Sequence, residues 1–252
     1  MTRAQDRTAL ITGAGSPTGI GFATAEALGR AGYRVALTST TARIHERAAA
    51  LAAAGLVARG HVADLTQPAE VAQLIAAVGR VDVLVNNAGM AVLGAVDEQQ
   101  PLERMPLALW QQVLERNLTT AFLVTRACLP AMLVAGWGRI VNVSSTTGAV
   151  AGVAGDSAYA AAKAAMLGMT RSLCLEVARR GVTVNAVAPG WIGTGSQTEP
   201  ERRAGAASPL GRSGTAAEVG AAIAFLCSEG ASYVTGQLLV VDGGNSVVES
   251  KA

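Results

Sequence analysis

The chain has 252 residues, half of them hydrophobic, with 15% charged residues and a formal net charge of +2. That is enough apolar material for one large core, and 1–252 is expected to form one domain. The even charge balance, with no basic stripe and only 4% aromatic residues, argues against a nucleic-acid partner.

Cys128, Cys174 and Cys227 are odd in number, far apart and without CxxC spacing. They suit reduced, packed thiols and a cytoplasmic setting. The polar start of the chain, 1–7, has neither the apolar centre of a signal peptide nor the pattern of a transit peptide. No apolar run approaches the roughly 20 residues of a membrane span, so no membrane partner is expected. His45 and His61 have no companion ligands at helical spacing, and no metal is expected.

Along the chain, short β-rich runs alternate with helical stretches. Strands are expected over 8–12, 34–38, 57–62, 81–86, 139–144, 182–188 and 238–241. Helices are expected over 21–31, 44–54, 68–78, 107–135, 157–180 and 216–228. Near-continuous apolar runs such as 182–188 suit strands covered on both faces. Regular alternation requires crossover connections, hence an α/β fold: a doubly wound, mostly parallel seven-stranded sheet with helices on both faces. Two aperiodic segments, 90–106 and 190–214, follow strands at the carboxyl end of the sheet, where ligands bind in open α/β sheets. Both are candidate substrate loops, set against a plainer reading as solvated connections.

The first strand runs into Thr12-Gly13-Ala14-Gly15-Ser16-Pro17-Thr18-Gly19-Ile20-Gly21 and then a helix. Glycines there permit a tight turn and let backbone N–H groups approach a pyrophosphate at the helix N-terminus. This turn resembles that of the short-chain dehydrogenase/reductase family, T-G-x-x-x-G-x-G, with two extra residues between Gly13 and Gly19. The resemblance implies cofactor contacts from Gly13, Ser16, Gly19, Ile20 and Gly21. An alternative register, starting at Gly15, keeps the spacing but displaces the threonine. Asp64-Leu65 resembles the family's adenine-contacting pair, although a lone Asp there also reads as a helix cap. Asn86-Asn87-Ala88-Gly89 resembles its N-N-A-G motif, implying Asn87, Ala88 and Gly89 at the cofactor cleft.

Strand two ends in Thr38-Ser39-Thr40-Thr41-Ala42-Arg43, without the acidic residue that would hold the ribose of NAD. Ser39, Thr40 and Arg43, with Ser16, suit a 2′-phosphate, so NADP is expected over NAD. Arg43 also reads as an ordinary solvated residue in a first helical turn.

Tyr159 and Lys163 share a helix face at i, i+4. An ammonium held near a phenol favours the phenolate, and such a tyrosine can pass a proton to a carbonyl or take one from an alcohol. By resemblance Ser145, at the end of strand five, is the catalytic serine, with Ser144 as the alternative. Asn117 then fits the family's helix asparagine, which kinks its helix and holds a relay water. Pro189-Gly190-Trp191-Ile192-Gly193-Thr194 resembles P-G-x-I-x-T, implying Pro189, Gly190, Ile192 and Thr194 around the nicotinamide.

The resemblance covers about 7–245. It implies a hydride-transferring carbonyl reductase or alcohol dehydrogenase with catalytic Asn117, Ser145, Tyr159 and Lys163, the last two also touching the cofactor. The texture is closest to 3-oxoacyl-acyl-carrier-protein reductases. Arg180 matches one carrier-docking position of those enzymes, but Gly136 stands at the other, so a small-molecule carbonyl substrate ranks first. A cofactor-binding regulator without turnover is the reading from another class. Such proteins commonly lose the Tyr or Lys, and both are present here. Small residues on the 157–180 helix, with family resemblance, imply a homotetramer.

Overall fold

The computed structural model describes residues 4–89 and 99–249. Seven strands form one sheet in the order β3-β2-β1-β4-β5-β6-β7, and every pairing is parallel. They are β1 Thr8–Ile11, β2 Arg34–Ser39, β3 Ala58–Val62, β4 Val83–Asn86, β5 Gly138–Val143, β6 Val182–Pro189 and β7 Leu238–Val241. The helices are α1 Ile20–Arg30, α2 Arg43–Ala53, α3 Pro68–Val78, α4 Leu107–Leu114, α5 Thr120–Ala135, the short α6 Thr146–Ala149, α7 Ser157–Val177, α8 Glu199–Ala206 and α9 Ala216–Cys227.

Successive strand residues point to opposite faces, so each strand feeds two cores. Ala9, Ile11, Val83, Val85 and Val141 pack with Leu28 of α1 and Ile223 of α9. Leu10, Leu84 and Ile140 pack on the other face with Leu74, Val124 and Met132. Every residue of β5 and β6 is buried, which is why those strands read as near-continuous apolar runs, interrupted by Arg139, Asn142, Thr183 and Asn185. Burying one side chain such as Leu10 contributes about 1.5–3 kcal/mol.

Most expected boundaries fall within two residues of the observed ones. Two expectations need correction. The 107–135 stretch is continuous, but Glu115–Thr119 widens into a π-helical turn between α4 and α5. At 29 residues it is also long and apolar enough to match a membrane span by length and composition, contrary to the expectation that no stretch would be. Here it covers the sheet, burying Val124, Cys128 and Met132. The second correction is α8, inside the segment read as a loop. Its apolar face is too small for periodicity to reveal, but Thr198 and Glu201 close a capping box that was legible as T-x-x-E.

Candidate active site

The Gly-rich turn, the N-N-A-G run and the ends of β5 and β6 meet at the carboxyl edge of the sheet. Thr12 ties the first two together. Its Oγ1 accepts from the N–H groups of Asn87 and Ala88, each at 2.9 Å, while Asn87 Nδ2 donates to the carbonyls of Thr12 and Gly13 at 3.0 Å. Gly13 sits at φ +68°, and a Cβ there would stand 2.7 Å from Ala88 Cα. This contact presses the start of the turn, at Thr12-Gly13, against the N-N-A-G run. Gly15 has no positive φ and instead abuts Ser39 at the end of β2.

Ser16, Thr40 and Arg43 are exposed around that junction, and Ser39 is half-buried. Ser39 Oγ donates to Thr41 O and Arg43 Nε to Thr41 Oγ1. Hydroxyls and a guanidinium without a carboxylate over 38–43 form a donor set that fits a phosphate on the adenosine ribose. Asp64 Oδ1 accepts from Thr66 N and Thr66 Oγ1, a local turn leading into α3. Leu65 is buried among Val71 and Leu74, so its side chain serves the core, and only its backbone is left for a ligand.

Beyond β4 and β5 lie the π turn that carries Asn117, the two strand-end serines and the Tyr159–Lys163 face of α7. In the π turn the Thr120 N–H reaches back five residues to Glu115 O. Side chains occupy carbonyls that an α-helix would fill from its backbone: Asn117 Nδ2 donates to Val113 O at 3.0 Å, and Thr120 Oγ1 to Arg116 O at 2.8 Å. Asn117 Oδ1 is left buried and without a hydrogen-bond partner among the described residues. It faces Gly89, where a Cβ would stand 2.8 Å from it, so the N-N-A-G run must end in glycine to approach this helix.

A buried amide chain fixes the flanking helices. Asn86 Nδ2 donates to Thr125 Oγ1 and Asn142 Oδ1, and Asn142 Nδ2 donates to Thr170 Oγ1, linking β4 and β5 to α5 and α7. These bonds tie the two strands to the two helices, although Asn86 Oδ1 is buried without a partner among the described residues.

The two serines have different partners. Ser144 is buried and its hydroxyl donates to Lys163 O at 2.8 Å. Ser145 is half-exposed and accepts from Thr147 N at 3.1 Å, and its hydroxyl acts on the Tyr159 phenol to pull the pKa down. Desolvation is the larger influence on Tyr159 and pushes the phenol up, as do the carboxylates of Asp156 and Glu201. Lys163 Nζ lies 5.5 Å from the Tyr159 ring centre and donates to Val143 O at 3.0 Å. Burial pushes its ammonium down to about 8. The expected lowering of the phenol by Lys163 is thus not what dominates: desolvation weakens both charged forms.

Past β6, Gly190 N donates to Val241 O and Gly193 N to Gly214 O, while Ile192 packs into the core. Thr194 Oγ1 shares a hydrogen bond with Ser196 Oγ. Of the two candidate substrate loops, 90–98 lies outside the described residues. The rest of the first loop approaches the site through Gln100 N, which donates to Gly155 O. The sequence reading did not single out Asp156 and Glu201, whose carboxylates act on Tyr159, or the hydrogen bonds by which Thr12 ties the turn to the N-N-A-G run.

Residues 13–246 match the family model described as enoyl-(acyl carrier protein) reductase. The chain is 39% identical to the 3-oxoacyl-[acyl-carrier-protein] reductase of Salmonella typhimurium, covering 97% of this chain and 99% of that one. A solved structure of a putative NAD(P)-dependent gluconate 5-dehydrogenase from Beutenbergia cavernae, with bound NADP, is 41% identical with a TM-score of 0.87, covering 96% and 97% of the two chains. An actinorhodin polyketide ketoreductase solved with NADPH is 37% identical with a TM-score of 0.88, covering 98% and 100%.

The chain belongs to the short-chain dehydrogenase/reductase family. It is an NAD(P)-dependent oxidoreductase acting on the CH–OH/C=O pair.

Proposed function

We propose that the chain, acting as one domain over 1–252, uses NADP(H) to reduce the ketone or aldehyde carbonyl of a small molecule, or runs the reverse. The bound nicotinamide supplies or accepts the hydride. Tyr159 gives its phenolic proton to the carbonyl oxygen or takes it from the alcohol, and Ser145 donates to the same oxygen as charge develops. Lys163 holds the ribose and favours the phenolate once charged partners offset its desolvation. Asn117 Oδ1 holds the water through which the proton is replaced. The observation that carries this reading is that Ser144 is committed to Lys163 O, which leaves Ser145 as the strand-end hydroxyl able to act on Tyr159.

Gly13, Ser16, Gly19, Ile20 and Gly21 take the pyrophosphate end, and Ser39, Thr40 and Arg43 the 2′-phosphate. Asp64 and Leu65 flank the adenine, Asn87, Ala88 and Gly89 the adjoining ribose side, and Pro189, Gly190, Ile192 and Thr194 the carboxamide. The bound cofactor in the gluconate dehydrogenase and the ketoreductase supports NADP. Oxidation of NADPH and NADH with a panel of ketones tests the reading. Turnover with NADPH is expected, and a clear preference for NADH in kcat/KM would reverse the cofactor choice.

Reduction of a β-ketoacyl group on an acidic carrier protein is the second reading, favoured by the 3-oxoacyl reductase relatives. The backbones of Gly136 and Gly181 touch, so an uncharged residue stands beside Arg180 at the second docking position. Comparing a carrier-bound with a free ketoacyl substrate separates the two.

We also place the enzyme in the cytoplasm as a homotetramer. On α7, Ala164 and Gly168 are exposed and Leu175 is 84% exposed. Beside them an apolar groove between α5 and α7 is lined by Phe122, Leu129, Leu133, Met169 and Leu173. An exposed apolar face of this extent suits a two-fold contact. Light scattering at micromolar concentration should give about four times the 25.4 kDa chain mass.

A further inference from the structure

One hydrogen bond joins two loops that the topology holds far apart. The Gly195 N–H donates to Thr18 Oγ1 at 2.8 Å, across 177 positions of sequence. Thr18 lies in the turn after β1, and Gly195 in the loop after β6. Between those strands stand β4 and β5, so the ends of β1 and β6 are three strand spacings apart, about 14 Å. The bond therefore arches over the carboxyl ends of β4 and β5, where Asn87 and Ser145 stand.

Both feet of the arch are built. On one side Gly19 N donates to Ser16 O, closing the turn that presents Thr18. On the other, Gly193 N donates to Gly214 O and Gly214 N to Trp191 O, rooting the loop, while Gln197 N donates to Thr194 O around its tip. Gly195 lies at that tip, and a Cβ on it would stand 2.8 Å from Thr18 Oγ1. The close approach thus needs glycine on one side and a hydroxyl on the other. Both residues are exposed, so the bond is free to open.

We infer that the Thr18–Gly195 bond is a latch across the cofactor cleft, making Thr18 a positioning residue that sets how fast the dinucleotide leaves. This rests on the proposed placement of the dinucleotide across the strand ends. A ligand lying there passes beneath the arch, and release requires the loop after β6 to lift. The two extra residues of the turn give it the reach to touch that loop.

The test is stopped-flow displacement of NADPH from the loaded enzyme by excess NADP+, followed by NADPH fluorescence. Thr18→Ala should release NADPH more than about twofold and up to about tenfold faster, the range for one neutral hydrogen bond. Thr18→Ser, which keeps the acceptor oxygen, should stay within twofold of wild type. Gly195→Ala should speed release alone yet add nothing in the Thr18→Ala background, since both changes open one bond. Melting temperatures report whether each variant folds. Release from Thr18→Ala within twofold of wild type, or additive effects of the two substitutions, overturns the latch. A wild-type enzyme that binds neither NADPH nor NADH overturns the underlying placement instead.

Discussion

The two ends of the site are built to different standards of satisfaction. Around the Gly-rich turn, Thr12 and Asn87 spend their polar atoms on each other's backbone, and Gly13 is pressed against Ala88. Around Tyr159, polar groups stand in surroundings that leave them short of what they want. Asn117 Oδ1 is buried without a partner, Lys163 is buried beside a carbonyl and a thioether, and the phenol is desolvated. The first end is a scaffold whose strength lies in closure. The second holds acid–base groups away from their resting states, where a bound ligand changes their energies most.

The contrast is broken most directly at Tyr159. Tyr159→Phe removes the proton and almost no volume, so kcat should fall by about 10²-fold or more while the cofactor dissociation constant stays within a few-fold. Steady-state kinetics with fluorescence titration checks both, and a variant retaining more than about a hundredth of the wild-type rate contradicts the assignment.

Next comes Lys163. Its pKa of about 8 in the folded chain lies below the 10.5 of a free lysine. Below pH 8 the group is charged in both states, and its burial costs the fold the full penalty. Between 8 and 10.5 the unfolded chain binds more protons, so stability rises with pH by up to about 3 kcal/mol. Lys163→Met abolishes this contribution. The wild-type minus variant difference in urea unfolding free energy should climb across that window in ligand-free protein. A flat difference would show that the lysine is not desolvated as described.

The scaffold end is sharpened by two glycines that share a left-handed backbone. Gly13 and Gly136 have φ of +68° and +62°, but a Cβ on Gly136 meets nothing within 4 Å. Gly136→Ala should therefore show backbone strain alone, at the low end of about 1–3 kcal/mol. Gly13→Ala adds a collision with the Ala88 backbone and should lose more by thermal or urea unfolding. Equal losses would mean that the turn is not wedged against the N-N-A-G run.

The smallest expected effect concerns the cofactor. Ser39→Asp sets a carboxylate where the 2′-phosphate is proposed to lie, and like charges repel. The ratio of kcat/KM for NADPH to that for NADH should fall about tenfold, roughly 1.4 kcal/mol. An unchanged ratio places the phosphate elsewhere.

Much of this molecule was legible in one dimension because its signals are local. Alternating apolar runs fixed the strands, since a strand buried on both faces must be largely apolar, as β6 is apart from Thr183 and Asn185. Tyr159 and Lys163 shared a face by helical spacing alone, and Thr12-Gly13 and the N-N-A-G run each announced a turn. The sequence left the serines open, and it offered two registers for the turn. Only partners distant in the chain tell the alternatives apart: Ser144 is spent on Lys163 O, and Gly13 meets Ala88. The π turn at Asn117 and the arch from Thr18 to Gly195 had no sequence period to betray them. The direction of the Tyr159 and Lys163 shifts depended on desolvation, a property of everything packed around a group. Periodicity and spacing encode what neighbours along the chain do, whereas burial and long-range hydrogen bonds exist only once strands 75 or 177 residues apart have been brought together.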